Sequence, residues 1–151
     1  MGFKCARHSR VDMTDHDDCP FCAIVAGDAP ASVLHEDDRS LAFLDINPVT
    51  EGHALVTPRE HSAGLADLSA ETGGHLFQVG QRVAAALRES FDPDGVNLFL
   101  ADGAAAGQEV FHVHLHVVPR YEGDSVAFEW SPVLVDREEL DAVAERVRTG
   151  F

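Results

Sequence analysis

Long apolar runs are missing from this sequence of 151 residues. A membrane-spanning helix needs about 18 consecutive apolar residues, and no stretch approaches that length, so we expect no membrane-spanning helix. No basic segment followed by an apolar stretch opens the chain either. We therefore expect a cytoplasmic protein without a secretory leader.

Positive charge is also scarce, since Lys4 is the only lysine and 11 basic residues face 26 acidic ones, for a net charge of −15. Such a surface repels nucleic-acid backbones and anionic membranes, so we expect neither as a partner. The composition is typical of proteins from salt-loving archaea, with an ordinary acidic protein as the alternative. An anionic substrate would then depend on short-range donors, or on salt in which the Debye length is about 3 Å.

Cysteine is rare and odd in number, with three residues, which argues against a disulfide framework and favours a metal or redox role. The apolar content of 45% is sufficient for the core of one domain. Residues 1–12 are basic, whereas residues 12–18 are acidic. We predict that residues 1–12 are a flexible N-terminal extension and that residues 13–151 form a single domain.

Local patterns predict more strands than helices. The long helix begins at the N-cap Ser69 and ends near Phe91, and a C-terminal helix begins at a capping box of Asp136 and Glu139. The remaining elements are a short helix over 23–29 and strands over 32–36, 41–45, 53–58, 96–100 and 110–118. Short turns join the strands, which predicts an α+β fold with an antiparallel sheet of about five strands.

Three histidines alternate with apolar residues in the segment 111–119, at His112, His114 and His116. Alternation is typical of a strand, so the imidazoles should share one face, each about 7 Å from the next at roughly 3.3 Å per residue. The apolar residues between them should face the core. Such a row of imidazoles can bind a metal, bind an anion or supply a nucleophile with helpers. Half-exposed histidines without a function are the alternative.

A second motif is Cys19-Pro-Phe-Cys22. As a redox pair it resembles a glutaredoxin active site, but no strand precedes it and the preceding acidic residues disfavour a reactive thiolate. As half of a tetrahedral zinc site it needs two further ligands, for which nine histidines are available. Of these two interpretations, zinc binding is favoured. A third interpretation is that the two cysteines are unrelated buried thiols.

Three separate segments, 41–46, 52–61 and 107–120, together resemble the histidine triad (HIT) family, a superfamily of nucleotidyl hydrolases and transferases. The resemblance extends from about residue 19 to residue 121. The segments occur in the expected order, and the similarity is greatest to prokaryotic members with a Cys-x-x-Cys zinc site. It implies a HIT-like α+β fold.

The resemblance also implies roles for individual residues. His114 corresponds to the nucleophile that attacks the α-phosphorus, while His116 and His53 correspond to residues that contact the phosphate or orient the nucleophile. Gln108 corresponds to a phosphate contact near the leaving group, and Asp45 to the acid that binds the ribose hydroxyls. Four apolar residues correspond to positions that sandwich the base: Phe21, Ile24, Phe43 and Ile46.

In zinc-bearing members His61 and His112 complete the site of Cys19 and Cys22, and four protein ligands make the Zn²⁺ structural. The family generally forms homodimers, which we expect here. Simpler interpretations exist: His61 and Asp45 as surface and turn residues, and the four apolar positions as core. His35 and His75 match no motif, and we predict that both are surface residues.

The predicted function is hydrolysis at the α-phosphate of nucleoside 5′-phosphoramidates or dinucleoside polyphosphates, through a nucleotidyl-histidine intermediate. A transferase or phosphorylase of the same family and a non-catalytic, zinc-stabilised nucleotide-binding module are the alternatives. The sequence departs from the family pattern at Ala101, where family members commonly carry an asparagine. The alanine lacks one polar contact of that asparagine, which is worth about 1 kcal/mol. The neighbouring Asp102 places a negative charge near the expected phosphate.

Overall fold

The structure is a computed structural model that describes residues 16–151, so the predicted extension 1–12 and its boundary lie outside the described residues. The fold is α+β, as predicted, with one five-stranded antiparallel sheet in the order β1-β2-β3-β5-β4. The elements in chain order are α1 Pro20–Ala26, β1 Val33–Glu36, β2 Ser40–Leu44, β3 Ala54–Pro58, α2 Ala70–Phe91, β4 Gly95–Leu100, β5 Leu115–Arg120 and α3 Arg137–Arg148.

The two faces of the sheet carry different cores. Leu55 alternates with Val56 along β3, so their side chains point to opposite faces. Val56 belongs to a cluster with the buried side of α2, whereas Leu55 belongs to a cluster with Phe21 and Cys19. His116 is directly opposite Leu55 in the β3–β5 ladder and therefore shares the α1 face. The long helix covers one face of the sheet and leaves the other for the functional side chains.

Helix α2 begins and ends as its sequence predicts. The hydroxyl of the N-cap Ser69 accepts the N–H of Thr72, and the helix ends at Phe91. Helix α1 begins three residues earlier than predicted, because Pro20 fits the first helical turn and needs no donor there. It also ends earlier, because Gly27 adopts the left-handed conformation, with φ 80°, that terminates helices.

The predicted histidine strand 110–118 is wrong in its first half, since β5 starts only at Leu115. The ladder pairs Val56 with Leu115. Two steps further it would place Pro58 opposite Val113, and proline has no N–H to donate. The N–H of Val113 donates instead to the Ser62 carbonyl at 2.8 Å. His112 and His114 therefore lie in a bent segment, free to point in different directions.

His35 and His75, predicted to be surface residues, are partly exposed, at 28% and 23%, and both are hydrogen-bonded. Their Nε2 atoms lie 3.1 and 3.0 Å from the same oxygen of Asp37, in the β1–β2 turn. Burial alone would raise the pKa of Asp37, but hydrogen bonds from Arg39, Ser40 and the two histidines outweigh it and hold this pKa well below its usual range. The cluster ties the N-terminal half of α2 to the β1–β2 turn.

The C-terminal helix α3 starts where its capping box predicts, with the Asp136 carboxylate accepting the N–H of Glu139. Its apolar residues remain exposed in the described chain. Within residues 16–151, no helix combines enough length and apolarity to cross a membrane.

Candidate active site and metal centre

Four predicted metal ligands converge at the start of α1: Cys19, Cys22, His61 and His112, with one ligand atom of each within 4.8 Å of the others. Cys19 is the N-cap of α1, and its Sγ accepts the N–H of Cys22. His61 follows β3 and His112 precedes β5. Residues far apart in sequence thus meet only because the sheet places β3 beside β5.

The distances between these donors fit a tetrahedral zinc ion. Nδ1 of His112 lies 3.3 Å from Sγ of Cys19, and Nδ1 of His61 lies 3.3 Å from Sγ of Cys22. Zinc–sulfur bonds of about 2.3 Å and zinc–nitrogen bonds of about 2.0 Å at tetrahedral angles separate the two ligand types by about 3.5 Å. The Nε2–H of His112 donates to the Pro58 carbonyl at 2.8 Å, which leaves Nδ1 to face the cluster.

The thiols of this cluster are poorly suited to redox chemistry. Burial, and after it the hydrogen bond and charge of Cys19, raise the pKa of the Cys22 thiol to about 11. A disulfide-exchange nucleophile needs the opposite shift, toward the thiolate at neutral pH. A metal cation would instead stabilise both thiolates by displacing their protons, so the donor set favours a metal.

The predicted nucleophile, His114, is buried and has a fixed ring orientation. Its Nδ1 lies 2.7 Å from the His112 carbonyl oxygen. A carbonyl can only accept, so Nδ1 carries the proton and Nε2 keeps its lone pair. The edge-on ring of Phe21, with centroids 5.0 Å apart, restricts the imidazole further. His114 thus has the tautomer that nucleophilic attack through Nε2 requires.

His53 and His116 form a directional chain of hydrogen bonds. The backbone N–H of Val49 donates to Nδ1 of His53 at 3.2 Å, which places the ring proton on Nε2. That Nε2 lies 2.9 Å from Nδ1 of His116 and donates to it. The remaining nitrogen of His116, Nε2, therefore carries a proton that it can donate to a ligand.

Asp45 completes this group, with Oδ2 3.6 Å from Nε2 of His53 and Oδ1 accepting the N–H of Asn47. Asp45, His53 and His116 also have the spacing of metal ligands. A metal on Nε2 of His53 would, however, move the ring proton to Nδ1, toward the N–H of Val49. Two donors would then face each other at 3.2 Å, so the group fits proton transfer better than metal binding.

The pKa values of His114, His53 and His116 are all lowered, in each case chiefly by burial. For His116 the neighbouring His114 and His53 add to this effect, and its pKa falls to about 4. A lowered histidine pKa means that the ring stays neutral at pH 7. Neutral rings are also what the hydrogen bonds of His53 and His116 require, because each ring accepts at Nδ1.

We expect the free energy of unfolding to fall as the pH is lowered from about 6.5 toward 4. Unfolded histidines protonate near pH 6.5, whereas folded His116 protonates only near pH 4. In this window the unfolded state binds more protons, so acid favours unfolding. Urea titrations at pH 7 and 4.5 should show a smaller acid-induced loss for His116→Gln than for the wild type. An equal loss in both would assign the pH dependence to other groups.

A pocket of about 720 Å³ opens beside these histidines. His114, His116 and Asp45 line it, and His53 is buried in contact with His116. The four residues predicted to sandwich the base line the same pocket: Phe21, Ile24, Phe43 and Ile46. Predicted base, ribose and phosphate residues therefore share a single cavity.

Gln108 is placed differently from what the resemblance implies. Its amide is buried, and Nε2 donates to the carbonyls of Ala63 at 2.7 Å and Val110 at 3.1 Å. Its Oε1 accepts the N–H of Gly103 at 2.7 Å. Both amide protons are in use, so a phosphate contact would require breaking a bond that braces the loop. The role near the leaving group stays a prediction.

The charge of Asp102 has a structural explanation. Its Oδ1 accepts the N–H of Leu65 at 3.1 Å, so the carboxylate holds the segment after β3 against the loop after β4. A Cβ at Gly64 would lie 2.6 Å from this oxygen, so a larger residue there would displace the carboxylate from its present position. Ala101, at the position of the family asparagine, is buried.

Two neighbours of the histidines were not predicted. The ring of Phe99 stacks on His116 with centroids 4.2 Å apart and an interplanar angle of 8°, and Phe128 packs edge-on against Phe99. Phe99 is opposite His116 in the β4–β5 ladder, so a correct strand register would have revealed the pair. Val49 acts through its backbone, and no side-chain pattern signals that contact.

The α+β fold thus brings three histidines and a carboxylate together at one pocket, beside a Cys₂His₂ cluster. The sequence profile described as HIT domain matches residues 26–123. The chain belongs to the HIT family.

Named relatives are similar in sequence to most of this chain. The protein named Protein hit of Bacillus subtilis is 42% identical over 115 residues, which are 76% of this chain and 79% of the relative. The adenosine 5′-monophosphoramidase of Schizosaccharomyces pombe is 38% identical over 130 residues, 85% of this chain and 95% of the relative. An adenylylsulfatase of Arabidopsis thaliana is 35% identical over 127 residues, 84% of this chain and 63% of the relative.

Solved structures agree on the fold. A HIT family protein from Bacillus anthracis superimposes with a TM-score of 0.85 at 39% identity, covering 89% of this chain and 98% of that one. A Zn-bound histidine triad family protein from Mycobacterium smegmatis gives a TM-score of 0.71 at 46% identity, covering 91% and 100%. The fold is thus the HIT fold.

Proposed function

We propose that this protein hydrolyses nucleoside 5′-phosphate derivatives at the α-phosphorus and releases a nucleoside monophosphate. The observation that carries the proposal is the tautomer of His114, whose Nε2 lone pair belongs to a pocket-lining ring held by the His112 carbonyl. The names of two relatives, a monophosphoramidase and an adenylylsulfatase, support the same chemistry at phosphorus.

The reaction proceeds by two displacements. Nε2 of His114 attacks the α-phosphorus, a P–N or P–O bond breaks, and the leaving group takes a proton from solvent. Water then attacks the phosphorus of the phosphoramidate on His114, gives its proton to solvent and releases the nucleoside monophosphate. His53 holds Nδ1 of His116 as an acceptor throughout, so the Nε2–H of His116 faces the ligand and stabilises the charge on the phosphoryl oxygens in both steps. Each cycle thus restores His114 and consumes one water.

The base, ribose and metal assignments complete the proposal. Phe21, Ile24, Phe43 and Ile46 hold the base by stacking and apolar contact, and Asp45 binds the ribose hydroxyls. Zn²⁺ on the Cys₂His₂ cluster is structural, because four protein ligands leave no position for substrate. When bound, it cross-links the start of α1 to the segment that carries His114. The Zn-bound relative supports this assignment.

The direct test is release of AMP from adenosine 5′-phosphoramidate and from diadenosine tetraphosphate, in low and in molar salt. We expect turnover of at least the first compound. Addition of inorganic phosphate separates hydrolase from phosphorylase, since a phosphorylase would yield ADP. Binding of AMP without turnover of either compound would support the non-catalytic nucleotide-binding module instead.

We further propose that the protein is a homodimer that uses α3 and the free edge of β4. Among residues 16–151, strand β4 is at the edge of the sheet and pairs only with β5, so its other side can pair with a second copy. On α3, Leu140, Val143 and Val147 recur at helical spacing and are 44%, 48% and 57% exposed. An apolar stripe of this kind is stabilised by burial against a partner.

We expect light scattering to give twice the monomer mass for the wild type and the monomer mass for Leu140→Glu, because a charge in the buried stripe costs several kcal/mol. Ala142→Glu is the matched control, since it adds the same charge on the opposite face of α3 and should leave the dimer intact. A dimer that tolerates Leu140→Glu would place the interface elsewhere.

A further inference from the structure

Glu109 belongs to the wall of the pocket but has no role in the reaction described above. Its side chain is exposed and lines the cavity together with Gly107 and Val110. Within residues 16–151 its carboxylate makes no hydrogen bond or ion pair, in contrast to Asp45, which binds the N–H of Asn47. An unpartnered carboxylate in a ligand pocket is available to a group of the ligand.

Among residues 16–151, no cationic side chain lines the pocket that is proposed to bind a phosphate. Among its lining residues the titratable ones are Asp45, Glu109, His114 and His116, and none is lysine or arginine. Nδ1 of His116 accepts the Nε2–H of His53, which only a neutral ring can do, and the proposed attack by Nε2 of His114 likewise requires a neutral ring. The negative charge of Glu109 is therefore not neutralised within the pocket.

Four arginines elsewhere in the described chain are paired with carboxylates, and the other described arginines do not line the pocket. Arg59 pairs with Glu36 at 3.0 Å, and Arg120 is held by Asp124 at 2.8 Å. Sites for polyphosphates neutralise the additional charges with lysine, arginine or a bound cation. Here neutral N–H donors serve one phosphate, and any further anionic group would approach an unpaired carboxylate.

We propose that Glu109 selects the leaving group by charge, and that the preferred substrates are nucleoside 5′-phosphoramidates whose leaving amine bears a second, positively charged ammonium group. This inference rests on the proposed hydrolysis at the α-phosphorus. The same carboxylate disfavours leaving groups that carry carboxylate or additional phosphate. The net charge of −15 acts in the same direction at longer range.

The test uses three adenosine 5′-phosphoramidates of equal length, whose leaving amines are 1,2-diaminoethane, propylamine and β-alanine. Their distal groups are positive, neutral and negative. The intrinsic reactivity of each compound cancels when kcat/KM of the wild type is divided by that of Glu109→Gln for the same compound. We expect kcat/KM of the wild type to be about fivefold higher than that of Glu109→Gln for the cationic compound. For the anionic compound we expect it to be about fivefold lower.

Two controls make the comparison specific. Glu89→Gln removes the same charge from an exposed position on α2 and should leave all three ratios near one. Glu109→Lys should invert the ranking of the cationic and anionic compounds. Because an exposed charge is screened by salt, the Glu109 effect should shrink at 1 M NaCl, where the Debye length is about 3 Å.

The outcomes separate this inference from the proposed function. Hydrolysis of all three compounds with the same wild-type to Glu109→Gln ratio would overturn the role of Glu109 and leave the hydrolase intact. A ratio for Glu89→Gln equal to that for Glu109→Gln would assign the selection to net charge alone, which also overturns it. Hydrolysis of none of the three by the wild type would overturn the proposed function, and the inference with it.

Discussion

His114→Ala is expected to reduce turnover of adenosine 5′-phosphoramidate by about three orders of magnitude or more. Loss of a covalent nucleophile removes the two-step route altogether, and the remaining hydrogen-bond donors only bind the substrate. The loss should appear in kcat, because Phe21, Phe43 and Asp45, the residues proposed to bind the nucleoside, are unchanged. Steady-state release of AMP is the measurement, with AMP binding by calorimetry to show that the pocket is intact.

The matched control is His35→Ala, which removes an imidazole outside the pocket, in the cluster around Asp37. We expect it to lower stability and to leave kcat unchanged. Rapid acid quenching of the wild type with labelled substrate should also trap a nucleotide on the protein, and His114→Ala should trap none. Near-normal turnover of purified His114→Ala would exclude His114 as the nucleophile.

Removal of the metal is expected to lower the melting temperature by about 10 °C or more, the second large effect. The cluster connects the start of α1 to residues that follow β3 and precede β5, so its loss releases three segments at once. Cys19 and His112 would also remain buried without the metal ion that their polar atoms bind, which is unfavourable. Differential scanning calorimetry with and without a strong chelator is the measurement.

Cys22→Ser should reproduce the chelator effect, and chelator should then have little further influence on it. Cys5→Ser removes the third cysteine of the sequence, leaves the four-residue cluster intact and serves as the control. The metal is proposed to be structural, so we expect the residual folded fraction to keep an almost normal kcat at 10 °C, well below the transition. Full stability of metal-depleted protein would refute a structural metal, and loss of kcat without loss of stability would indicate a catalytic one.

Local sequence signals succeeded wherever a contact lies within one or two turns of the chain. Ser69 and Asp136 were correctly predicted as N-caps, because an N-cap bonds a backbone N–H only three residues ahead. The helical spacing of Leu76, Val79, Val83 and Leu87 indicates α2, and these four side chains are buried in it. Such patterns depend only on the period of the element.

The same reasoning failed where an element depends on its neighbour. Alternation predicted one straight row of histidines, but a strand persists only while adjacent strands can bond to it, and β3 ends at Pro58. The bend separates the functions of the histidines, since His112 turns to the cysteines while the rings of His114 and His116 lie 4.8 Å apart. A metal ligand and a predicted nucleophile can therefore be two residues apart.

The sequence alone determined the family, the fold class and the identity of most candidate site residues, because three motifs in fixed order carry that information. Only the tertiary structure decided which nitrogen of each histidine carries the proton and which groups the site residues contact. The N–H of Val49 sets the tautomer of His53, the amide of Gln108 is used up inside a loop, and Asp37 joins His35 to His75. Each of these contacts joins groups whose distance and direction are set by packing, which a residue pattern does not encode.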